Sequence, residues 1–533
     1  MAGAMKKSFD YIVVGGGSSG AVVAARLSED AKRTVLLLEA GPRDNSLLIR
    51  MPLAFRLIRQ LALFDWDYSS EPEPHANGRS IHAPRGKVLG GSSSVNGMMY
   101  SRGHPRDYDQ WAQMGAIGWS YEDVLPYFRK SERSDRGRST WRGAEGPMHV
   151  SRITHDDPIT RAVKDAAVNL NYPLVEDFDA EPPEGFGLPD LTIGGGRRSS
   201  TAEAFLAPAR HRSNLQVVTG AHVVRIVFER SRAIGVEYRV DGAMFQAFCG
   251  HETILCGGAY GSPHVLMLSG VGPADHLRQY GIEVVADRPG VGEGLQEHPL
   301  VPMIFRSRQP LKLRSEIRAD RVALSAVRWM LSGKGLMATQ PLSSVAYYRS
   351  QPHLERPDLE FALIPTSLDA KVWFPGLRKP QEDLLTTYNI VLRPESRGSV
   401  RLRSASPDDH PAIQFNLLEA EGDVERLCYG IDWTRELMAT NPLNGFVGEE
   451  TLPGRSVKDV RQFIRAAAVT AQHPACTCRM GVDPQSVVDA QLRVHGLEGL
   501  RVADASIMPT LIGGHTNAAA IMIGERAADF ICG

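Results

Sequence analysis

The chain opens with two short apolar strands that flank a helix of small residues. The first apolar run is Tyr11–Val14 and the second is Thr34–Leu38, and between them stand Gly15, Gly17 and Gly20. This order is typical of the βαβ unit that binds dinucleotides. In that unit the first glycine makes a tight turn, the second lets the backbone approach a pyrophosphate, and the third lets the helix pack against the strand. The pattern therefore predicts a dinucleotide site at the N-terminus of the helix, where backbone N–H groups face the phosphates.

An acidic residue closes this unit. Glu39 follows the second strand directly. A carboxylate about 20 residues after the glycines is placed to accept hydrogen bonds from an adenosine ribose. The pattern alone does not separate NAD from FAD.

Strand patterns recur at two later places along the chain. Region 200–300 contains the runs Leu215–Thr219, Val223–Glu229, Ala233–Val240 and His251–Cys256. Region 465–533 contains Leu500–Val502, then Asp504 and a helix from about Asn517. Between the two regions, the short strands are typical of an antiparallel sheet: Leu359–Pro365, Thr387–Leu392, Ser399–Arg403 and Ala412–Phe415.

This arrangement predicts an α/β fold with two domains. A Rossmann-like nucleotide domain is assembled from the discontinuous segments 1–155, 200–300 and 465–533. A substrate domain of the α+β type, built on an antiparallel sheet, is inserted as residues 156–199 and 301–464.

Composition excludes several other classes of protein. The 533 residues are 43% hydrophobic, which is enough for a large core, and the net charge of −1 gives no electrostatic case for binding nucleic acid. The six cysteines form no CxxC pair and no regular framework of spacings. This usage fits a reducing cytoplasm and argues against structural zinc, and we expect no metal site.

One segment has a different, amphipathic pattern. Residues 47–64, LLIRMPLAFRLIRQLALF, mix apolar residues with arginines and Pro52. Such a run is too polar to span a bilayer. It would suit a basic amphipathic helix lying on a membrane or a surface helix covering the mouth of an active site, and we favour the second. We expect a cytoplasmic protein, with peripheral contact at the inner membrane as the alternative.

Six further motifs identify the cofactor. They are GKVLGGSSSVNGMMYSRGHPRDYD at 86–109, GAYGSPHVLMLSGVG at 258–272, GVGEGLQEHP at 290–299, SRGSVRLRSASPDDHP at 396–411, HPACTCRMG at 473–481 and DASIMPTLIGGHTNAAAIMIGERAADFI at 504–531. With the first βαβ unit, they resemble the glucose–methanol–choline (GMC) family of FAD oxidoreductases, in the family's order and over essentially the whole chain. The chain looks most like the bacterial branch of choline-dehydrogenase-like and alcohol dehydrogenases.

The resemblance implies an FAD bound across the nucleotide domain. The residues that would hold its adenosine and pyrophosphate are Gly15, Gly17, Ser18, Ser19, Gly20, Glu39 and Ala40, with Val223 meeting the adenine through its backbone. Those that would line the flavin and ribityl chain are Gly91, Asn96, Gly97, Met98, Met99, Asp504, Ala505, Thr516 and Asn517. Some family members attach FAD covalently through a histidine just before the asparagine. Here that position is Val95, so we expect non-covalent FAD.

Two histidines stand where the family carries its active-site pair. Oxidising an alcohol requires a base for the hydroxyl proton, and histidine titrates near neutrality. His473 opens the HPACTCRMG motif and His515 lies in GGHTNA. By resemblance we assign His473 as the general base and His515 as the residue that orients the alcohol or shares the proton. Similar proteins usually carry asparagine at the second position, so the division of labour stays open.

The sequence thus predicts oxidation of a primary alcohol to the aldehyde by hydride transfer to flavin N5, with electrons passed to a quinone or another acceptor. Alternatives are an oxidase that reduces oxygen to hydrogen peroxide, a choline dehydrogenase, and a non-redox lyase or photodecarboxylase. Candidate pocket residues are Gln472, Trp329 and Phe361. Trp329, with Met330, Leu336 and Met337 close to it in the chain, leans towards an apolar or aromatic alcohol. We find no aromatic cage or acidic cluster of the kind that binds quaternary amines, so choline stays an alternative. The oligomeric state stays open.

Overall fold

The computed structural model describes residues 7–153, 157–180, 183–367 and 370–533. The predicted domain boundary between residues 155 and 156 therefore lies outside the described residues, and the domain limits stay a prediction. Most of the structure belongs to two large sheets with helices packed against them.

The first sheet contains the strands that the glycine pattern predicted. Its order across the sheet is Leu215–Thr219, Val35–Glu39, Lys7–Val14, Ala243–Leu255, Arg232–Val240 and His222–Glu229, with Leu500–Val502 also paired to Ala243–Leu255. The strands from Leu215–Thr219 to the C-terminal half of Ala243–Leu255, and Leu500–Val502, run parallel. The inner strand Val35–Glu39 and the strand Leu500–Val502 are buried on both faces, as parallel strands covered by helices must be, whereas the edge strand Leu215–Thr219 is half-buried. This arrangement confirms the predicted α/β class.

The same sheet continues as an antiparallel meander. Ala243–Leu255 is 13 residues long, and its N-terminal half pairs antiparallel with Arg232–Val240, which in turn pairs with His222–Glu229. The sequence indicated only the apolar C-terminal end of this strand, from His251. The N-terminal half, AMFQAFC, is apolar as well but mostly exposed, and Gly250 and His251 separate it from the buried end.

The second sheet is antiparallel and includes segments far apart in the chain. Its strands are Val447–Leu452, Pro299–Ser307, Leu384–Val391, Leu359–Ile364, Ser344–Tyr348 and Gly185–Gly187, with Val469–Thr470 on the edge of Pro299–Ser307. The predicted strands near 399 and 412 do not join it. Gly398–Arg401 and Ala412–Gln414 form a separate three-stranded sheet with Glu293–Leu295.

Helices cover both sheets. The longer ones are Gly20–Leu27, Pro105–Gln113, Tyr121–Ser131, Pro158–Asn169, Gly258–Leu268, Ala319–Ser332, Glu421–Ala439, Val460–Ala467 and Thr516–Cys532. The two ends of the chain meet in this layer. Thr516–Cys532 packs on Gly20–Leu27, and Arg26 donates to buried Glu525 at 2.8 and 2.7 Å. The C-terminal motif is thereby placed beside the N-terminal glycine loop.

The amphipathic segment 47–64 does not form one helix. It is divided into Leu47–Arg50, a 3₁₀ turn at Pro52–Ala54, and Phe55–Gln60. Pro52 explains the division, since proline has no backbone N–H to continue a helix and restricts the residue before it. Across the described residues, no helix has the length and apolar character needed to cross a membrane.

Candidate active site

A cavity of about 1010 Å³ runs between the two large sheets. It begins at the first glycine loop and reaches His473 and His515. Every predicted cofactor residue except Gly20 lines it: Gly15, Gly17, Ser18, Ser19, Glu39, Ala40, Gly91, Asn96, Gly97, Met98, Met99, Val223, Asp504, Ala505, Thr516 and Asn517. One continuous space therefore joins residues that the sequence separates by about 500 positions.

The three glycines of the first loop have different surroundings. Gly15 has a φ of +98°, and a Cβ there would collide with the carbonyl of Cys256. A Cβ on Gly20 would overlap the carbonyl oxygen of Gly15, which explains why Gly20 lies behind the cavity rather than in it. Gly17 differs from both, because the nearest atom to its Cβ would be the Cα of Gly91, 3.9 Å away. The loop therefore has open space beside Gly17, where a pyrophosphate could approach the backbone N–H groups. This space fits the expected FAD.

Glu39 sits at the adenosine end of the cavity. Its carboxylate accepts hydrogen bonds from the backbone N–H groups of Gly16 and Gly41, at 2.8 and 2.7 Å. Burial raises the pKa of Glu39 to about 7, despite these two hydrogen bonds and the nearby Lys87. Two backbone donors fix the carboxylate at the cavity wall, where ribose hydroxyl groups would complete its set of partners.

Asp504 and Asn517 connect the C-terminal motif to the cofactor space. Asp504 accepts from the backbone N–H of Gly258 and from the hydroxyl of Ser262, at 2.8 and 2.6 Å. Asn517 accepts at 2.8 Å from the hydroxyl of Ser18 in the glycine loop. Val95 lies in the cavity wall and has no nucleophilic atom for a covalent bond to FAD.

The two predicted catalytic histidines lie side by side. His515 caps the helix Thr516–Cys532, and His473 follows the short strand Val469–Thr470. Their rings are perpendicular, and His515 Nδ1 lies 3.0 Å from His473 Nε2. Burial holds the pKa of His473 well below its usual 6.5, and the neighbouring charges of His515, His298 and Arg85 lower it further. His473 is therefore a neutral imidazole in this environment.

The second sheet forms the wall opposite the histidines. Adjacent strands place Leu300 beside Ile390 and Ile390 beside Glu360 in one row across the sheet. The next row on the same face contains Pro302, Tyr388 and Ala362, and all six residues line the cavity. The wall is thus mainly apolar. Its carboxylate, Glu360, is buried and lies 3.2 Å from His515 Nε2.

Two predicted pocket residues are placed elsewhere. Phe361 follows Glu360, and alternation along a strand sends its side chain to the opposite face. There it is fully buried, 5.4 Å from the ring of Trp433. Trp329 is also fully buried, and its indole donates to the carbonyl oxygen of Gly196 at 2.7 Å. Neither residue lines the cavity, and both have structural contacts instead.

Gln472 does line the cavity, but its side-chain amide is hydrogen-bonded to an arginine rather than free for a substrate. With its oxygen turned towards Arg59, Gln472 accepts two hydrogen bonds at 3.1 and 2.8 Å. Arg85 donates to the backbone carbonyl of Gln472 at 2.8 Å. Arg59 and the neighbouring Arg56 come from Phe55–Gln60, the helical part of segment 47–64, and both line the cavity. The segment thus closes one side of the substrate space.

Several residues of the site were missed by the sequence reasoning. Glu297 accepts from the backbone N–H of both His473 and His298, at 2.7 and 2.9 Å, and burial raises its pKa to about 7. His298 Nδ1 lies 3.0 Å from His473 Nδ1. The motif at 290–299 contains both residues, but its resemblance alone gave them no role. Glu360 could have been found from the alternation of its strand, which places the side chains of positions 360, 362 and 364 on the same face, towards the cavity.

The chain is similar to known proteins over nearly its whole length. Models of the GMC oxidoreductase family match residues 9–300 and 394–524. The chain belongs to the GMC oxidoreductase family and is an FAD-dependent alcohol oxidoreductase. It is 42% identical to an oxygen-dependent choline dehydrogenase of Brucella anthropi, over 98% of this chain and 95% of that protein. It is 43% identical to the mitochondrial choline dehydrogenase of Homo sapiens, over 99% and 90%.

The fold also resembles a solved structure. The pyridoxine 4-oxidase of Mesorbium loti superposes with a TM-score of 0.86 at 31% identity, over 98% of each chain. The comparisons therefore confirm the predicted family, FAD as cofactor and the enzyme class. The names of these similar proteins give different substrates, choline for two of them and pyridoxine for the third.

Proposed function

We propose that this enzyme oxidises a neutral, apolar primary alcohol to the aldehyde, with non-covalently bound FAD as the hydride acceptor. The observation that supports this proposal is the wall around the histidine pair. Leu300, Pro302, Ala362 and Ile390 present apolar surface there. Such a wall binds alkyl or aryl groups through burial of apolar area, at about 25 cal/mol per Å².

Charge around this space argues against a quaternary amine. Arg56 and Arg59 line the same part of the cavity. Arg56 is half-buried, and this burial lowers its pKa, with Tyr388 as a nearby group. Cations are normally recognised by aromatic faces and carboxylates, whereas two guanidinium groups repel them. A neutral alcohol avoids this repulsion.

Choline is the second candidate. Two similar proteins are named choline dehydrogenases, at 42% and 43% identity. The carboxylate of Glu360 also reaches the cavity wall and could attract a cation. Against this, Glu360 is directed at His515, 3.2 Å away, and so already has a partner.

A matched pair of substrates separates the two candidates. Choline and its neutral carbon isostere, in which a tert-butyl group replaces the trimethylammonium group, have nearly the same shape and differ in charge. Anaerobic mixing with the holoenzyme should bleach the flavin absorbance faster with the isostere, and faster still with benzyl alcohol or a longer alkanol. Faster bleaching by choline would reject the proposal. A flavin that stays oxidised with every alcohol would favour the lyase or photodecarboxylase alternative.

The names of similar proteins favour oxygen as the electron acceptor, and a quinone is the alternative. One relative is named oxygen-dependent and the superposed structure is named an oxidase. Reoxidation of the reduced enzyme by air, with one hydrogen peroxide formed per aldehyde, would support oxygen. Slow reoxidation in air with rapid reoxidation by a soluble quinone would support the quinone.

Peripheral contact with a membrane is a further part of the proposal. The helix Ala319–Ser332 buries only Trp329 and exposes Leu324 and Leu331, which are 70% and 84% accessible. Leu377, on a loop joined to the start of this helix, is 88% accessible. Exposed apolar side chains with neighbouring basic residues are typical of surfaces that lie on a bilayer. Flotation with anionic vesicles should carry the protein. Leu331→Asp should weaken this binding, whereas Val482→Asp, at another exposed site, should leave it unchanged.

A further inference from the structure

Arg198 is a buried cation without a carboxylate partner. It lies on the short strand Arg197–Arg198 and is 3% exposed. Among the residues that the structure describes, no carboxylate pairs with its guanidinium, and burial alone lowers its pKa, to about 9, so it keeps its charge at neutral pH. The other deeply buried arginines Arg102 and Arg142 both pair with Glu132. A buried charge without a counter-charge is costly to a fold, so Arg198 differs from these two in what it is kept for.

The guanidinium of Arg198 donates to neutral oxygen atoms. Its Nε donates to the carbonyl of Ile49 at 2.9 Å. Its Nη1 donates to the carbonyls of Ser93 and Asn96 at 3.2 and 2.8 Å, and to Asn96 Oδ1 at 2.8 Å. Nη2 is buried without a partner. These oxygen atoms solvate the charge without neutralising it, and they connect it to the loop of the motif at 86–109.

Asn96 links this charge to the cofactor space. It lines the cavity, whereas Arg198 lies behind it. Asn96 Oδ1 accepts both from Arg198 and from the backbone N–H of Met98, the latter at 3.0 Å, so the orientation of its amide is fixed. Asn96 Nδ2 donates to no other group in the described part of the chain. The amide therefore has its donor end left for a group in the cavity, and the charge of Arg198 lies directly behind it.

Other charged side chains also line this cavity. They include the cations Arg56, Arg59, Arg85 and Lys87 and the carboxylates Glu360 and Asp504. All of them contribute to the electrostatic potential at the cofactor. A comparison of variants in which only Arg198 or Asn96 is changed keeps these groups constant, so the difference reports the buried charge.

We propose that Arg198 is a positioning residue for flavin reduction: it fixes the amide of Asn96 with its donor end left for the cofactor, and its buried charge stabilises the negative charge that bound FAD gains on accepting a hydride. A hydride brings two electrons and one proton, so the acceptor becomes more negative by one charge. Arg198 thereby makes bound FAD a stronger hydride acceptor. The inference goes beyond the proposed function, because it depends on FAD and not on which alcohol is oxidised.

The size of the effect follows from the position of Arg198 one side chain away from the cavity. At an effective dielectric constant of about 20, two unit charges about 12 Å apart interact strongly enough to change an equilibrium constant about tenfold. Removing the charge should therefore weaken the binding of reduced FAD, relative to oxidised FAD, by about tenfold or more. For a two-electron couple, tenfold corresponds to a fall of about 30 mV in the reduction potential.

The test compares Arg198→Met, Arg198→Lys and Asn96→Asp with the parent enzyme. Apoprotein is titrated with oxidised FAD and, separately, with dithionite-reduced FAD, and the ratio of the two Kd values gives the change in potential. Arg198→Met should shift this ratio about tenfold or more against the reduced form, and Arg198→Lys should keep most of the parent value. Asn96→Asp should shift it in the same direction, because the new carboxylate neutralises Arg198 in place. Its apoprotein should unfold at the parent temperature or above, since the buried arginine gains a partner.

Sulfite gives a second readout without turnover. It adds through sulfur to N5 of oxidised flavin, and its electron pair leaves one more negative charge on the ring. Titration of the holoenzymes with sulfite, followed by loss of flavin absorbance, should give a Kd raised about tenfold or more in Arg198→Met and Asn96→Asp. Arg197→Met is the matched control: Arg197 lies on the ring of Trp329, 4.7 Å from its centroid, and does not line the cavity. Its Kd ratio and its sulfite Kd should both equal those of the parent.

Three results would overturn the inference. The first is a parent-like Kd ratio and sulfite Kd in a folded Arg198→Met or Asn96→Asp protein. The second is an equal shift in Arg197→Met, which would assign the effect to the overall charge of the strand. The third is an Asn96→Asp protein that binds neither form of FAD, which would make both residues part of the loop's structure only. If Arg198→Met fails to fold, Asn96→Asp decides, because it retains the arginine.

Discussion

Replacing Gly17 with alanine should remove FAD and leave the fold intact. The three glycines of the first loop have the same residue type but different surroundings. A Cβ on Gly17 would have its nearest neighbour at 3.9 Å, which is an ordinary van der Waals distance, whereas a Cβ on Gly20 would overlap a carbonyl oxygen. The new methyl group of Gly17→Ala therefore enters only the space that a pyrophosphate would use.

The expected magnitudes follow from this geometry. Where a new methyl group is not strained, a glycine-to-alanine change stabilises a protein by about 0.4–1 kcal/mol, by restricting the unfolded chain. The same methyl group would push the pyrophosphate away from the backbone N–H groups of the loop. Hydrogen bonds to charged groups contribute about 1.5–3 kcal/mol each. Losing one or two of them should weaken FAD binding by about 10²-fold or more, at about 1.4 kcal/mol per tenfold change.

The assay is a fluorescence titration of apoprotein with FAD, beside thermal unfolding of the same apoprotein. Gly17→Ala should unfold at the parent temperature or slightly above it, with Kd for FAD raised about 10²-fold. Gly445→Ala is the matched control, because a Cβ there has no neighbour within 4 Å and Gly445 does not line the cavity, and both quantities should stay unchanged. Gly20→Ala should fail to fold. Parent-like FAD affinity in a folded Gly17→Ala protein would refute the assignment of this space to the pyrophosphate.

Three other predictions concern the cofactor and the core. Acid precipitation should leave the yellow colour in the supernatant, because Val95 has no atom for a covalent bond, and a yellow pellet would contradict this. FAD should bind about tenfold more tightly for each pH unit from 5 towards 7 and level off above it, because ribose hydroxyls favour the ionised form of Glu39, whose pKa is about 7. A titration series should show this slope, and Glu39→Gln should lack it. Arg142→Met should cost about 3–5 kcal/mol of unfolding free energy, since the buried carboxylates of Glu132, Asp179 and Asp190 would each lose one cationic partner. Chemical denaturation of apoprotein measures this loss, and a change below about 1 kcal/mol would contradict it.

The cofactor half of the site was predictable because its constraints are local. Gly15 is required by a tight turn, Gly17 by the approach of the pyrophosphate to the backbone, and Gly20 by the packing of the helix on the strand. All three constraints lie within one βαβ unit. Glu39 follows from the length of the same unit. The C-terminal part, with Asp504, was found from its resemblance to a family motif. No periodicity in the sequence showed that it would pack on the N-terminal helix.

The substrate half was less predictable because it depends on sheet register. Phe361 was selected for its aromatic ring, but the alternation of its strand gives the cavity to Glu360 and Ala362. The row of Leu300, Ile390 and Glu360 joins three strands that are far apart in the chain. Only the pairing register brings them together, and a shift of one residue would exchange the buried face for the cavity face. Segment 47–64 was placed correctly at the cavity, but Pro52 divides the single helix expected there.

Because the cofactor and the substrate contact different sheets, substrate preference can be changed without changing cofactor binding. The cofactor residues belong to loops and helix ends of the first sheet, whereas the apolar wall belongs to the second sheet. Changing Ile390 or Ala362 alters the surface that meets the alcohol without touching the glycine loop. Glu360 is the exception, because it stands on this wall and lies 3.2 Å from His515. A change of wall that removed Glu360 would therefore alter the surroundings of His515 together with the surface that meets the substrate, so substitutions for new substrates should keep this one position fixed.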